Sequence, residues 1–228
     1  MEIKFETEIH KKLPNLKVLV VEATILNRES EPDIEELLAE TERDILSAYE
    51  LGDIKNRPGI KATREAYKIL GKDPNRYRPS TEALCRRIVR GLGLYRVNAA
   101  VDVINVLSIL TGYSIGGFDA DKIAGNRLTL GVGEEGEPYE AIGRGLLNIA
   151  SLPVFRDAVA GVGTPTSDNE RTKLGLESRN LLMTINMYGE EMPVDQTEAL
   201  TRRMLETYLA ATDIKCKIAK VDEDIKNL

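Results

Sequence analysis

Apolar positions recur along the chain with two periods, one typical of strands and one typical of helices. Short apolar runs predict strands over 17–25 and 179–189, a shorter one near Ile3–Ile9, and two strands across a turn within 126–142. Apolar residues three and four positions apart predict helices over 32–50, 59–71, 78–93, 99–110 and 194–212. Because these elements do not alternate regularly, the pattern predicts an α+β, layered fold with a mixed sheet.

The predicted helix over 99–110 carries a polar stripe in an otherwise apolar sequence. At about 3.6 residues per turn, its members share roughly a third of the circumference: Asn98, Asp102, Asn105 and Ser108. Such a stripe faces either water, as on most surface helices, or an internal cleft, where every buried polar group needs a partner. The pattern alone favours water.

The composition is that of one large globular domain, or of a core domain with an N-terminal extension. The chain has 228 residues, of which 42% are hydrophobic and 30% charged, which is ample for a buried core. It has no apolar run long enough to span a membrane and no apolar signal region at its start, so we expect a cytoplasmic protein without membrane contact.

The few cysteine and histidine residues limit which metal, disulfide and catalytic sites the chain can form. Cys85 and Cys216 lack the spacing of metal ligands, and we expect both to be small buried residues of a reducing compartment rather than a disulfide. His10 is the only histidine, which argues against a zinc site and against a catalytic triad that uses histidine. We therefore expect no metal and no cofactor.

Basic residues are concentrated in one part of a chain whose net charge is −6. The segment Lys55–Arg96 holds 12 basic and 3 acidic residues, a balance of +9, and the remainder holds 19 basic and 34 acidic residues, a balance of −15. This segregation makes the segment a candidate for phosphate contact. The alternative is that its bases pair with acids that lie elsewhere in the fold.

The least regular stretch, over 157–175, is small, polar and rich in turn-forming residues. Loops of this kind are often only connections, but binding groups also gather on them when a scaffold holds them in place. Its best candidates for ligand contact are Asp168, Arg171 and Thr172. The alternative is that Ser167 or Asp168 caps a short helix.

The stretch over 97–119 resembles the B3/B4 domain of the bacterial phenylalanyl-tRNA synthetase beta chain. The matching positions are Val97-Asn98, Val101-Asp102, Asn105 and, fourteen positions later, Phe118-Asp119, at the family's spacing without a gap. The stretches over 64–93 and 167–189 are similar to free-standing proteins that carry this domain. The resemblance implies an α+β, B3/B4-type fold. We expect a B3/B4-type domain over 76–228 with residues 1–75 as a strand and helical extension packed on it, or a single compact unit.

In the synthetase this domain is an editing module that hydrolyses tyrosine mischarged on phenylalanine tRNA. The resemblance therefore implies a cleft for an aminoacyl group with the polar stripe on its wall. It implies tRNA or aminoacyl-tRNA as partner, not DNA, and it does not imply ligase activity. This sequence departs from the family at two points: Gly116 stands where the family has its motif histidine, and no carboxylate stands near Met183–Thr184, where the editing glutamate aligns.

As a hypothesis, Asn98 and Asn105 hydrogen-bond the aminoacyl group, and Asp102 holds its ammonium or orients neighbouring amides. The Gly116-Gly117 backbone faces the ester carbonyl, because glycine allows close approach, although a plain tight turn before Asp119 is the alternative. Asp119, Asp168, Arg171 and Thr172 complete the ligand contacts, with Asp168 and Thr172 closing the cleft. The predicted contacts to tRNA phosphates are Arg78, Arg86, Arg87 and Arg90.

Two functions fit these expectations. The first is a free-standing hydrolase that clears a mischarged amino acid from tRNA. The second is a non-catalytic module that binds tRNA or a small amino-acid-like ligand, which fits the missing histidine and the acidic overall charge. A weaker third option is an unrelated metabolic enzyme that reuses the cleft. The alternative for Asp102 is a purely structural role, as a buried carboxylate that accepts hydrogen bonds from backbone N–H groups.

Overall fold

The computed structural model describes residues 1–224, and its five long helices and the strands β2 and β9 fall close to where the apolar periodicity predicts them. The helices are α1 Thr7–Lys12, α2 Pro32–Ala48, α3 Pro58–Leu70, α4 Ser80–Val89, α5 Ala99–Thr111, α6 Val194–Leu209 and α7 Val221–Asp224. The strands are β1 Glu2–Phe5, β2 Lys17–Thr24, β3 Ser114–Asp119, β4 Arg127–Val132, β5 Glu140–Ala141, β6 Gly145–Leu146, β7 Pro153–Arg156, β8 Gly161–Gly163, β9 Asn180–Met187 and β10 Thr212–Lys220.

Two four-stranded sheets form the centre of the molecule. One has the order β1-β4-β7-β8, with β1 parallel to β4 and the other pairs antiparallel. The other has the order β10-β2-β9-β3 and is antiparallel throughout. A small hairpin joins β5 to β6. The fold is therefore α+β with layered mixed sheets, as the sequence predicts.

Strand β2 shows how the layers are built. Its Val18 and Val20 pack into a core that they share with residues of β1, β4 and β7 in the other sheet, whereas Leu19 and Val21 pack into a second core formed with α2, α4, α5 and α6. Because successive side chains of a strand point to opposite faces, a strand buried on both faces needs a continuous apolar run. The order of layers is helices, sheet, sheet.

Three sequence expectations need correction, and one strand was missed. The two strands within 126–142 do not form a hairpin, because β4 pairs with β1 and β7, while β5 pairs with β6 and forms one bridge to Asn169. The strand expected over Ile3–Ile9 ends at Phe5 and is followed by α1. The long edge strand β10 was not predicted. Cys216 is only half-buried rather than buried, and both cysteines are free.

Strands from the N-terminal part of the chain lie inside both sheets. Strand β2 lies between β9 and β10, and β1 forms an edge of the other sheet beside β4. Residues 1–75 thus share hydrogen-bonded sheets with later residues, which favours the single-unit alternative over an extension packed on a core; the boundary at 75/76 stays a prediction. No helix within residues 1–224 is long and apolar enough to cross a membrane.

Candidate functional site

A cleft of about 520 Å³ opens beside the free edge of β3, between α4, α5, the β5–β6 hairpin and the loop over 164–168. We call it the inner cleft. Its apolar wall is formed by Leu84, Val97, Val101, Ile115 and Ile142. Its polar lining comprises Ser80, Asn105, Ser108, Arg144, Thr164, Thr166, Ser167 and Asp168, together with Tyr95.

A second depression of about 310 Å³ continues from the inner cleft, and we call it the arginine groove. The two share Ser80, Leu84, Tyr95, Asn105, Arg144 and Thr166, so they form one continuous surface. The groove alone adds Arg78, Arg86, Arg87 and Arg90. The four arginines that the sequence assigns to tRNA phosphates therefore lie together at the mouth of the cleft, although the structure tests no role for them.

Two of the groove arginines, Arg78 and Arg86, make only long polar contacts. Arg78 lies 3.8 Å from the buried Glu82 carboxylate, and Arg86 donates to the Leu51 carbonyl at 3.3 Å. Burial and the neighbouring charges of Arg78 and Arg90 lower the pKa of Arg86, against the attraction of Glu82. Four like charges in one groove repel each other, so an anionic ligand would relieve unfavourable energy there.

Asp168 is the carboxylate of the inner cleft. It lies on an irregular segment whose backbone is fixed, because the Ile142 N–H donates to the Asp168 carbonyl at 3.0 Å. Its Oδ2 accepts from the Gly117 N–H at 3.0 Å on the open edge of β3. Burial raises the pKa of Asp168 to about 7, against the lowering effect of that hydrogen bond. The residue is half-buried, so its carboxyl group can exchange protons with a ligand or water near neutral pH.

Asn105 is the one member of the polar stripe that both lines the cleft and keeps a free amide. Within residues 1–224 its side chain has no hydrogen-bond partner. The neighbouring hydroxyls are mostly engaged: Ser108 Oγ donates to the Tyr113 carbonyl at 2.7 Å, and Thr166 Oγ1 meets the Tyr67 hydroxyl at 2.9 Å. No group of three or more His, Cys, Asp or Glu side chains among the described residues could hold a metal ion.

Two other members of the stripe serve the helix start instead of the cleft. Asn98 is the N-cap of α5, and its side chain accepts from the Val101 N–H at 3.1 Å. The buried Asp102 accepts from Ser30 Oγ at 2.6 Å and from the Val97 N–H at 3.1 Å. Burial raises the pKa of Asp102, although both hydrogen bonds oppose the rise. Neither Asn98 nor Asp102 lines the inner cleft, so the structure does not bring these two side chains together with Asn105 and Asp168, and their contact with an aminoacyl group stays a prediction.

Gly116 and Gly117 do not form a tight turn, since both lie within β3 and pair with Thr184 and Met183. A Cβ on Gly116 would stand 2.7 Å from the Phe118 ring and 2.8 Å from Thr184 Oγ1, and a Cβ on Gly117 would stand 2.7 Å from Ile104. The glycines are needed for packing. The Gly117 N–H, which was expected to face a carbonyl, is already bound to Asp168.

Asp119 and Arg171 are engaged in local structure outside the cleft, whereas the buried Thr172 hydroxyl has no hydrogen-bond partner among the described residues. Asp119 accepts from Ser178 Oγ at 2.7 Å and from the Asp121 N–H at 3.1 Å. Arg171 donates to Asp157 Oδ1 at 2.9 Å and to the Lys122 carbonyl at 3.2 Å. Thr172 is fully buried and does not line the cleft. The short helix in this loop is capped by Asn169, not by Ser167 or Asp168.

Sequence reasoning missed Tyr95 and Arg144, which line both the inner cleft and the arginine groove. Tyr95 carried a usable signal, because it is an aromatic residue within a basic segment, next to the recognised motif. Arg144 had no recognisable signal in the sequence, because it reaches the cleft only through the hairpin that β5 and β6 form.

Comparison with known proteins gives one family match. A family model described as "B3/4 domain" matches residues 62–202. Among solved structures, the chain is similar to an N-terminal fragment of the phenylalanyl-tRNA synthetase beta-subunit from Pyrococcus horikoshii, with 10% identity and a TM-score of 0.43 over 95% of this chain and 50% of that chain. The chain thus spans about half the length of that structure. No curated protein matches.

Proposed function

Because this chain belongs to the B3/4 domain family, we propose that its inner cleft receives the aminoacyl end of a tRNA and hydrolyses a mischarged amino acid from it. The resemblance of residues 97–119 to the synthetase's editing module supports the reaction. The single observation that carries the proposal is the continuity of the two cavities, which places a carboxylate and a free amide directly behind four arginines.

The arginine groove suits the phosphates of the tRNA, and the inner cleft suits the aminoacyl group. Arginines bind phosphate oxygens through several N–H groups at once, so the arginine groove suits the tRNA backbone. In the inner cleft Asp168 would lie beside the ester of the aminoacyl group and contact it through the attacking water, and Asn105 would hydrogen-bond the carbonyl or side chain of the aminoacyl group. The apolar wall beside Val101, Ile115 and Ile142 suits an uncharged amino-acid side chain.

The proposed reaction is ester hydrolysis. Water attacks the ester carbonyl, the bond to the tRNA hydroxyl breaks, and the tRNA oxygen takes up a proton as it leaves. Asp168, whose pKa of about 7 leaves much of it ionised at neutral pH, would orient the water and accept its proton. Asn105 would donate its amide N–H to the oxyanion that develops.

One observation favours a second function, binding without hydrolysis. The Gly117 N–H, the nearest backbone donor on the β3 edge, is occupied by Asp168, and Gly116 stands in the slot of the family's histidine. A cleft with fewer donors for an oxyanion can still hold the aminoacyl group. This alternative keeps the same ligand and removes only the chemical step.

The test is deacylation of a panel of mischarged tRNAs by the purified protein and by Asn105→Ala and Asp168→Asn. We expect turnover of at least one aminoacyl-tRNA, reduced about 100-fold or more in Asp168→Asn, as for loss of a general base. The exposed Asn126→Ala and Asp195→Asn serve as matched controls and should keep full activity. If the protein binds tRNA but deacylates no member of the panel, the binding function is favoured. If it neither deacylates nor binds any tRNA, the proposal is contradicted.

A further inference from the structure

The connection between α4 and α5 presents an exposed aromatic ring at the junction of the two cavities. Tyr95 is 56% exposed, and it lines the arginine groove as well as the inner cleft. Large exposed aromatic rings on a rigid scaffold are typical of binding surfaces. Because the Tyr95 ring also lines the arginine groove, an aminoacyl group bound in the inner cleft does not by itself account for its exposure.

The backbone around Tyr95 is fixed on both sides. The Leu94 N–H donates to Glu42 Oε1 at 2.7 Å, and the Leu94 side chain is buried. The next two residues are also anchored: Arg96 Nε donates to Glu35 Oε2 at 2.7 Å, and the Val97 N–H donates to the buried Asp102. The exposure of Tyr95 is thus a property of an ordered segment, and its ring needs little reorganisation to bind.

A cation lies over the Tyr95 ring. The Arg87 guanidinium carbon is 3.7 Å from the ring centroid, and the guanidinium also donates to the Leu92 carbonyl at 3.3 Å. Stacking of a planar guanidinium on one face of an aromatic ring holds the ring in place and adds positive charge beside it. Such an arrangement suits a flat ligand that carries negative charge nearby.

We propose that Tyr95, held by Arg87, is the stacking platform for the base of the 3′-terminal nucleotide of the bound nucleic acid. This inference rests on the proposed function. The four arginines line only the groove, Tyr95 and Asn105 line both cavities, and Asp168 lines only the inner cleft. Tyr95 therefore lies between the groove arginines and the cleft carboxylate. The same order, phosphate, nucleoside, aminoacyl ester, runs along the end of a charged tRNA. Tyrosine stacks on any base, so the platform would position the end of the strand without reading its sequence.

The experiment compares two tRNAs that differ only in the terminal base, one intact and one with an abasic 3′-terminal ribose. Their affinities are measured for the wild-type protein, for Tyr95→Leu, which keeps apolar volume but removes the ring, and for Tyr95→Phe, which keeps the ring. We expect the wild type and Tyr95→Phe to bind the intact tRNA about 5-fold or more tightly than the abasic one, and Tyr95→Leu to bind both alike. Thermal unfolding confirms that each variant is folded.

The outcomes separate this inference from the proposed function. Equal binding of both tRNAs by the wild type, or a full preference retained by Tyr95→Leu, overturns the stacking role and leaves tRNA binding intact. Failure of the wild type to bind either tRNA overturns the proposed function and the stacking role together.

Discussion

The four polar side chains of the α5 stripe occupy four different environments. Asn98 caps the helix, Asp102 anchors the preceding segment, Ser108 hydrogen-bonds inside the core, and Asn105 alone presents a free amide to the cleft. Helical periodicity correctly predicts that these side chains lie on one side, but it cannot predict which neighbours they meet. Partners such as Ser30 and Tyr113 come from elsewhere in the fold.

Replacement of Asp102 by alanine tests its structural role. The change leaves the Val97 N–H and the Ser30 hydroxyl without their buried acceptor, so we expect a loss of about 1–3 kcal/mol in the free energy of unfolding. Asn105→Ala, which breaks no hydrogen bond within the described chain, should change it by less than about 0.5 kcal/mol. Urea unfolding of both variants provides the measurement, and equal stabilities would contradict the assignment.

The pKa of Asp168 predicts a pH dependence of stability. Burial raises the folded pKa from 3.8 to about 7, so between these values the folded state binds a proton that the unfolded state has lost. The contribution of Asp168 is therefore fully present below about pH 4 and is lost as the pH rises through 7. Asp168→Asn keeps an acceptor for the Gly117 N–H but cannot titrate.

The free energy of unfolding should consequently fall with rising pH more steeply in the wild type than in Asp168→Asn across this window. Denaturant unfolding at pH 4, 6 and 8 measures the free energy of unfolding of the wild type and of Asp168→Asn. The other titrating groups are the same in both proteins, so their contributions cancel in the difference. Parallel pH profiles would contradict the raised pKa of Asp168.

At the scale of elements, the periodicity of apolar residues predicts the helices and strands whose formation depends on their own sequence. Helices α2, α3 and α6 and strands β2 and β9 are predicted because each must bury an apolar face of its own. Strand β10 was missed although its sequence "TDIKCKIAK" alternates lysine with apolar residues, which is the pattern of a half-buried edge strand. The error over 126–142 has a different cause: the pairing partners of β4, β1 and β7, are distant in sequence.

Strand β3 offers the prediction at this scale. In Gly116→Ala the new methyl group would meet the Phe118 ring and Thr184 Oγ1, both fully buried, so we expect a loss of about 1–3 kcal/mol in the free energy of unfolding. Gly52→Ala is the matched control, because a Cβ there meets nothing within 4 Å. Thermal or urea unfolding compares the two, and equal stability would show that β3 has room for a side chain at Gly116.

At the scale of the molecule, the basic segment Lys55–Arg96 serves two purposes. Arg57 and Arg64 are largely buried and paired with Glu191 and Glu82, which is the alternative that charge counting left open. Arg78, Arg86, Arg87 and Arg90 line the groove instead. Net charge and charge segregation were readable from the sequence. The division into paired and groove-lining arginines was not, because it depends on acids brought together by folding.

Arg90→Gln tests the groove. If Arg90 neutralises a phosphate, its loss weakens binding of every tRNA and lowers the slope of log affinity against log salt by about 1. The exposed Arg203 on α6 lies away from the groove, so Arg203→Gln should leave both quantities unchanged. Filter binding across a salt series measures the slope, and identical slopes for the two variants would exclude Arg90 from phosphate contact.

The most direct test of the account compares the affinity of the protein for uncharged tRNA and for the same tRNA carrying its amino acid through a non-hydrolysable amide. We expect tighter binding of the charged tRNA, loss of that preference in Asp168→Asn, and equal weakening of both tRNAs in Arg90→Gln. Equal affinity of the wild type for charged and uncharged tRNA, across a panel of amino acids, would contradict the claim that the inner cleft receives the aminoacyl end.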